Sequence, residues 1–282
     1  MNVPKAVIKT VENQRSVSLI FGLFGCSLLG GCSLFGEGSE VSNGSDPARG
    51  VLPLLNRPPL MRLGDGRVDA LSLEAIQSCE HRLGLAAEDV QLAHSTNFGE
   101  RKAKDSWGRS LQVKPMVIVL HETVISEAQT LALFKTNHPD DDQQLSYHML
   151  VGRDGWRVRI VPDQNRAYGS GMSTFGDLTL RDRPGSVGPI NNIDLHISLV
   201  TPPDGRGGEH GHPGYTDAQY QTLAEQVLLW QARFGIPITR LTTHAAVDRS
   251  RSRYDPRSFR WERFDPHYNH AVELCGLDQY NN

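Results

Sequence analysis

The chain carries no excess of positive charge: 29 Lys and Arg stand against 32 Asp and Glu, a formal net charge of −3. Nucleic-acid binding needs clustered Lys and Arg to neutralise phosphates, so no nucleic-acid partner is expected. No internal repeat is visible, which sets aside the repeat architectures. Apolar length is short too. Residues 16–31 form an uncharged, mostly apolar run, below the ~20 residues that a membrane-spanning helix needs. Cysteines are few: Cys26, Cys32, Cys79 and Cys275. What is present is bulk. The 282 residues, 38% of them hydrophobic, suffice for one sizeable domain with a real core plus extensions.

Lys5, Lys9 and Arg15 make the start basic, and the apolar run ends in Leu29-Gly30-Gly31-Cys32. A basic segment followed by an apolar run of this length reads as a signal peptide over residues 1–31. Its ending resembles a bacterial lipobox, in which the cysteine is acylated and becomes the mature N-terminus. An ordinary signal peptide or an uncleaved anchor is the other reading of the same run. Under the lipobox reading Cys32 carries lipid. Residues 32–69, rich in Gly, Ser, Pro and charge, then form a flexible tether. The expected place is the cell envelope, lipid-anchored to a membrane on the periplasmic side. Ser33, in place of Asp after the cysteine, tilts this toward an outer membrane where the host has one. Cys79 and Cys275 remain in an oxidising compartment, either bridged or as free thiols.

Between Ser72 and Leu92, Leu73, Ile76, Cys79 and Leu83 trace an amphipathic pattern of one or two short helices. They belong to an N-terminal extension over residues 70–110. From Met116 the pattern changes. MVIVLHETV is apolar and β-branched, a buried strand. A helix follows over Ser126 to Asn137, with Ser126 as N-cap and Gln129 three positions on as capping-box partner. Ser146 to Val151 and Arg157 to Pro162 read as strands joined by a turn at Arg153-Asp154-Gly155. Ile193 to Val200 alternates as another strand. Thr216 to Phe234 is the clearest helix, with Tyr220, Leu223, Val227 and Trp230 on one face and Gly235 and Pro237 as the stop. A strand over Ile238 to Thr242 leads to His244. Strands interleaved with helices give an α/β domain, placed at residues 111–265, with a C-terminal tail over 266–282.

His121 ends one buried strand and His244 lies just past another. Imidazoles at strand ends far apart in sequence are a common way to gather metal ligands, although a lone histidine there is more often structural. Two of them, with a carboxylate soon after the second, point to zinc. The carboxylate is Asp248 or Asp255. The pair His121-Glu122 is not a zincin motif, because Ile125 stands where the second histidine belongs.

VIVLHET, SYHMLVGRDG, NNIDLHISLV, YTDAQYQTLAEQVLLW and TTHAAVDRSRSRYDP fall in the order seen in the amidase-2 family, which the chain resembles over roughly residues 110–262. That family holds phage lysozyme-type amidases, bacterial envelope amidases and peptidoglycan recognition proteins. The resemblance implies a single domain with a mainly β central sheet flanked by helices and zinc in a surface groove. It implies zinc ligands at His121, His244 and Asp255, the last in the context Arg253-Tyr254-Asp255-Pro256 that Asp248 lacks. It matches Tyr147 to the tyrosine that faces the metal in the phage and recognition-protein branch, and Arg253 to a basic residue beside the metal; both are expected to be catalytic. Tyr147 on its own would pass for a core tyrosine, and Arg253 for a solvated charge. His148 alternates to the opposite strand face and reads as structural.

Two positions depart from the pattern. Ser198 stands where one branch has a catalytic Glu, and Gly169 stands where some envelope amidases have a histidine after an aromatic residue. The implied activity is zinc-dependent hydrolysis of the amide between N-acetylmuramic acid and L-alanine in peptidoglycan or muropeptides. The alternative is a non-catalytic peptidoglycan receptor on the same fold.

Overall fold

The computed structural model describes residues 71–176, 178, 190–208 and 211–277. The signal peptide, Cys32 and the tether expected over residues 1–69 lie outside the described residues. Among those described, no helix is long and apolar enough to cross a membrane.

Among the described residues the first element is helix α1 (Leu73–Leu83), capped by Ser72 and closed by Gly84 in the left-handed conformation. Strands β1 (Asp89–Val90), β2 (Phe98–Glu100) and β3 (Val117–Glu122) follow. Helix α2 (Glu127–Lys135) starts on the expected capping box: Ser126 accepts from the N–H of Gln129, whose side chain reaches back to the Ser126 N–H. Strands β4 (Met149–Val151), β5 (Arg157–Arg159), β6 (Asn165–Ala167) and β7 (Asp194–Leu199) lead to the long helix α3 (Asp217–Phe234). Thr216 and Gln219 form its capping box, and Gly235 ends it. Strand β8 (Leu241–Thr243), the one-turn helix α4 (His244–Val247) and helix α5 (Trp261–Leu274) complete the order.

Six strands make a sheet in the order β1-β5-β4-β7-β3-β8, and β2 pairs with β6 separately. All neighbours in the large sheet are parallel except β4 with β5. This is the α/β arrangement expected, and both sheet faces are covered. On one face Ile118, Leu120, Leu195, Ile197 and Leu199 pack with α1, α3 and α5 through Leu223, Val227, Trp230, Phe264 and Tyr268. On the other, Val117, Val119, Ile190 and Val247 form a smaller cluster. Leu150, Val158 and Ile160 form a third with Phe134 of α2.

Three details differ from the sequence reading. The segment from Ile238 begins with a 3-10 turn over Ile238–Arg240, and the strand is only Leu241–Thr243. The regular part of β4 starts at Met149, three residues after the expected start at Ser146. Helix α5 runs across residue 265, where the domain was expected to end. Its Trp261, Phe264, Tyr268, Ala271 and Val272 are buried. Cys275, just beyond it, is bridged to Cys79 of α1, with Cα atoms 4.7 Å apart.

Candidate metal centre

Parallel pairing sets the site. The β3–β8 register places Leu120 opposite Thr243 and the β3–β7 register places His121 opposite Ser198. His121 and His244 therefore emerge side by side at the carboxyl ends of adjacent strands, the edge where open α/β sheets build their sites. Their rings lie 4.5 Å apart between centroids. Thr243 caps α4 by accepting from the Ala246 N–H, and the Ala245 N–H donates to the main-chain oxygen of Asp255. That last bond draws the 253–258 loop over the strand ends.

His121, His244 and Asp255 come together as a buried group whose donor atoms all lie within 4.8 Å of one another. His121 Nδ1 is 3.1 Å from Asp255 Oδ2, and His244 Nδ1 is 3.0 Å from Oδ1. Both imidazoles thus turn the same nitrogen to the same carboxylate. The His121 side chain is fully buried, while those of His244 and Asp255 keep 6% and 11% of their exposure, so the group opens to solvent on one side. Burial, followed by the charge of His244, pushes His121 down to about 3, so it is a neutral ring, as a metal ligand must be. Burial alone would raise Asp255; the His244 charge and hydrogen bonds from both histidines outweigh it and hold the carboxyl well below its usual range. Two imidazoles and one carboxylate, buried and convergent, suit a catalytic zinc site that keeps a fourth position open.

The rejected competitor has a different task. Asp248 accepts from the main-chain N–H groups of Ser250, Ser252 and Arg253 at 2.7–2.8 Å. It shapes the turn ahead of Asp255. Arg253 is exposed, yet its charge reaches Tyr147 and opposes the rise in that phenol's pKa. The Tyr147 ring stacks on His121 with centroids 4.4 Å apart and meets Phe134 edge-on at 5.3 Å. Burial, then the negative charge of Asp255, raises the phenol well above its ordinary value, so it stays a proton donor. Ser198 Oγ is buried and has no hydrogen-bond partner among the described residues.

His148 is buried and structural in its contacts. Its Nδ1 accepts from the His196 N–H at 2.9 Å, and Nε2 lies 3.1 Å from the Asn165 oxygen. Its ring and that of Tyr147 both approach His196, at 5.7 and 6.2 Å. His148 also meets Trp230 of α3 at 6.3 Å, whereas Tyr147 lies against His121 and Phe134, so the two side chains turn to opposite faces, as expected.

Sequence reasoning passed over two polar systems that support the ligands. Glu122, on the opposite strand face from His121, accepts from the Arg257 main chain at 2.9 Å and from its guanidinium at 2.6 Å. It also accepts from Thr201 at 3.0 Å and meets His212 at 3.2 Å. It fastens the ligand loop two residues past Asp255. The second system is Asp194 and His196 on one face of β7. Their only sequence signal is alternate polar positions in a strand whose other residues are apolar. Val124, Arg251 and Ser258, the non-glycine residues at positive φ among those described, all lie within four residues of a ligand. Such strain gathers where the surroundings over-determine a site.

A family model described as N-acetylmuramoyl-L-alanine amidase (Amidase_2) matches residues 111–258. The 1,6-anhydro-N-acetylmuramyl-L-alanine amidase AmpD of Citrobacter freundii is 31% identical over 121 residues, 43% of this chain and 56% of AmpD. The chain thus spans little more than half the length of that relative. A crystal structure of a selenomethionine derivative of AmpD aligns with a TM-score of 0.46 at 26% identity, over 65% of this chain and 96% of that one. The amidase AmiD of E. coli, in complex with anhydro-N-acetylmuramic acid-L-Ala-D-gamma-Glu-L-Lys, aligns with a TM-score of 0.43 at 23% identity, over 56% and 60%. The family match covers more than half of the chain and takes in all three clustered residues, and the chain belongs to the N-acetylmuramoyl-L-alanine amidase family.

Proposed function

We infer that this protein is a zinc-dependent N-acetylmuramoyl-L-alanine amidase, acting on peptidoglycan or muropeptides in cell-wall turnover or remodelling. The observation that carries the reading is the convergence of His121, His244 and Asp255 on one point at the strand ends. Family membership supports the bond cleaved.

His121, His244 and Asp255 would hold the metal. Zinc bound there supplies Lewis-acid polarisation of the scissile carbonyl and of water. The chain's own residues do the rest. Tyr147, kept protonated, would donate toward the oxygen that gains charge as the carbonyl becomes tetrahedral, and would pass a proton to the departing amine. Arg253, whose charge reaches Tyr147, would add positive charge. Ser198 is a neutral hydroxyl and does not act as the base. The tether and an acylated Cys32 would hold the domain at the envelope membrane, a reading supported by the basic start and the Leu-Gly-Gly-Cys ending alone.

The test is zinc content per chain together with mass analysis of digested peptidoglycan. Stem peptides that begin with L-alanine, released by the zinc-loaded protein and not after chelation, are the expected result. Tight muropeptide binding without cleavage would select the receptor reading, and full activity in metal-free protein would overturn the zinc assignment.

A further inference from the structure

The nitrogen of His121 that faces away from Asp255 does not end in solvent. Its Nε2 lies 2.8 Å from His196 Nδ1, across 75 residues of sequence. His196 Nε2 in turn lies 3.0 Å from Asp194 Oδ1 and 3.3 Å from Asn191 Oδ1. The side chains of His196 and Asp194 are fully buried. The proton positions follow from the partners. Asn191 Oδ1 accepts from the main-chain N–H groups of Gly169 and Ser170 at 3.2 and 3.0 Å, so that atom is an oxygen and not a nitrogen. His196 Nε2 faces this carbonyl and a carboxylate, and therefore bears a proton. That leaves Nδ1 of His196 to accept from Nε2 of His121 whenever that nitrogen carries the ring's proton. His121 Nδ1 faces the Asp255 carboxylate at 3.1 Å; a zinc ion there would take the place of its proton and fix the remaining one on Nε2.

Space for this arrangement comes from Gly169. A Cβ built there would stand 2.9 Å from both Cγ and Nδ1 of His196, closer than real contacts allow. The residue at which some envelope amidases have a histidine is the one whose missing side chain admits a histidine from β7. Further out, Ser170 Oγ hydrogen-bonds to Asp194, and Arg101, buried beneath, donates to the Asp194 main-chain oxygen at 3.0 Å. His244 is held differently, with Nε2 3.3 Å from the Ser170 main-chain oxygen.

We propose that His196 is a positioning residue for metal binding: through an Asp194–His196–His121 relay, admitted by Gly169, it holds His121 in the tautomer that presents Nδ1 to zinc. The inference rests on the zinc reading above. Outer partners of metal-bound histidines are worth roughly 10–100-fold in affinity.

The measurement is zinc affinity of the full chain by chelator competition, with zinc alone as ligand. His196→Phe keeps a ring but removes the acceptor and should weaken zinc about 10–100-fold. His196→Asn carries an oxygen near the lost Nδ1 and should restore most of that affinity. Gly169→Ala should lose affinity when His196 is present and add no further loss in a His196→Ala chain. A purely packing role predicts the reverse order, with Phe tolerated and Asn not. Thermal melts show that each variant is folded. Zinc affinity in folded His196→Phe equal to wild type would overturn the relay. Long-range ¹H–¹⁵N spectra of the zinc-loaded wild type decide the point independently of affinity: protons on Nε2 of both His121 and His196 support it, and a proton on His196 Nδ1 overturns it. Failure of the wild type to bind zinc would sink the metal reading and the relay with it, whereas folded variants that match a zinc-binding wild type sink the relay alone.

Discussion

Tyr147 lies flat on His121, centroids 4.4 Å apart and planes inclined by 25°. The stack fixes the phenol beside the ligand cluster and makes the ring and the hydroxyl separable by mutation. Tyr147→Phe keeps the stack and the edge contact with Phe134. It should leave the fold and zinc content intact while lowering turnover on purified peptidoglycan by roughly 10²-fold, the scale of one lost oxyanion or proton-transfer group. Ser198→Ala should cost far less, because Ser198 Oγ has no partner among the described residues to lose. A near-normal Tyr147→Phe enzyme beside a dead, zinc-loaded Ser198→Ala enzyme would reverse these roles.

Cys32→Ala addresses the anchor. The variant is expected to shift from the membrane to the soluble fraction, or to stall with its first 31 residues uncleaved. Fractionation with mass measurement of the mature N-terminus reads this. Unchanged retention with normal processing would count against acylation of Cys32.

Elements written in local signals were legible. Both capping boxes, Ser126 with Gln129 and Thr216 with Gln219, sit within one helical turn and appear as expected. So does the burial of MVIVLHE as β3. The ligand triad was reached by resemblance, and the structure brings those three residues together. The rest depends on contacts between distant residues. His196 meets His121 across a strand pair, and nothing near residue 196 announces the partner. Arg257 reads as one arginine among several until the fold sets it on Glu122. Pro266 inside α5 looks locally like a boundary, but burial of Trp261, Phe264 and Tyr268 on both sides of it keeps the helix going.

The Cys79–Cys275 bridge closes 196 residues of chain. Closing a loop this long restricts the unfolded state, and loss of such a bridge costs roughly 2–5 kcal/mol. Cys79 and Cys275 belong to the α1, α3 and α5 side of the sheet, whereas His121 projects from the other. Cys79→Ser/Cys275→Ser should therefore melt well below the oxidised wild type while keeping zinc content and turnover at temperatures where it is folded. Equal melting of the two proteins under oxidising conditions would refute the stabilising role.

Glu122 offers a pH-dependent test of how the ligand loop is held. Its carboxylate is fully buried, and the Arg257 side chain with it is only 10% exposed. Burial pushes the Glu122 pKa up, but hydrogen bonds from His212 and Arg257 and the Arg257 charge outweigh it, and the net direction is down. A carboxyl with a depressed folded-state pKa contributes stability that is present above its unfolded value and disappears as pH falls through the folded one. Glu122→Gln keeps the shape, removes the charge and leaves the Arg257 guanidinium without its carboxylate partner. Breaking a buried pair from one side costs roughly 3–5 kcal/mol. The variant should thus be much less stable than wild type at pH 7, and the gap should narrow in denaturant titrations as pH drops below the ordinary glutamate range. Zinc affinity should fall as well, because Arg257 is two residues from Asp255 and its main-chain N–H is bound to the same carboxylate. A stability gap independent of pH would show that the Glu122 charge does not hold the loop.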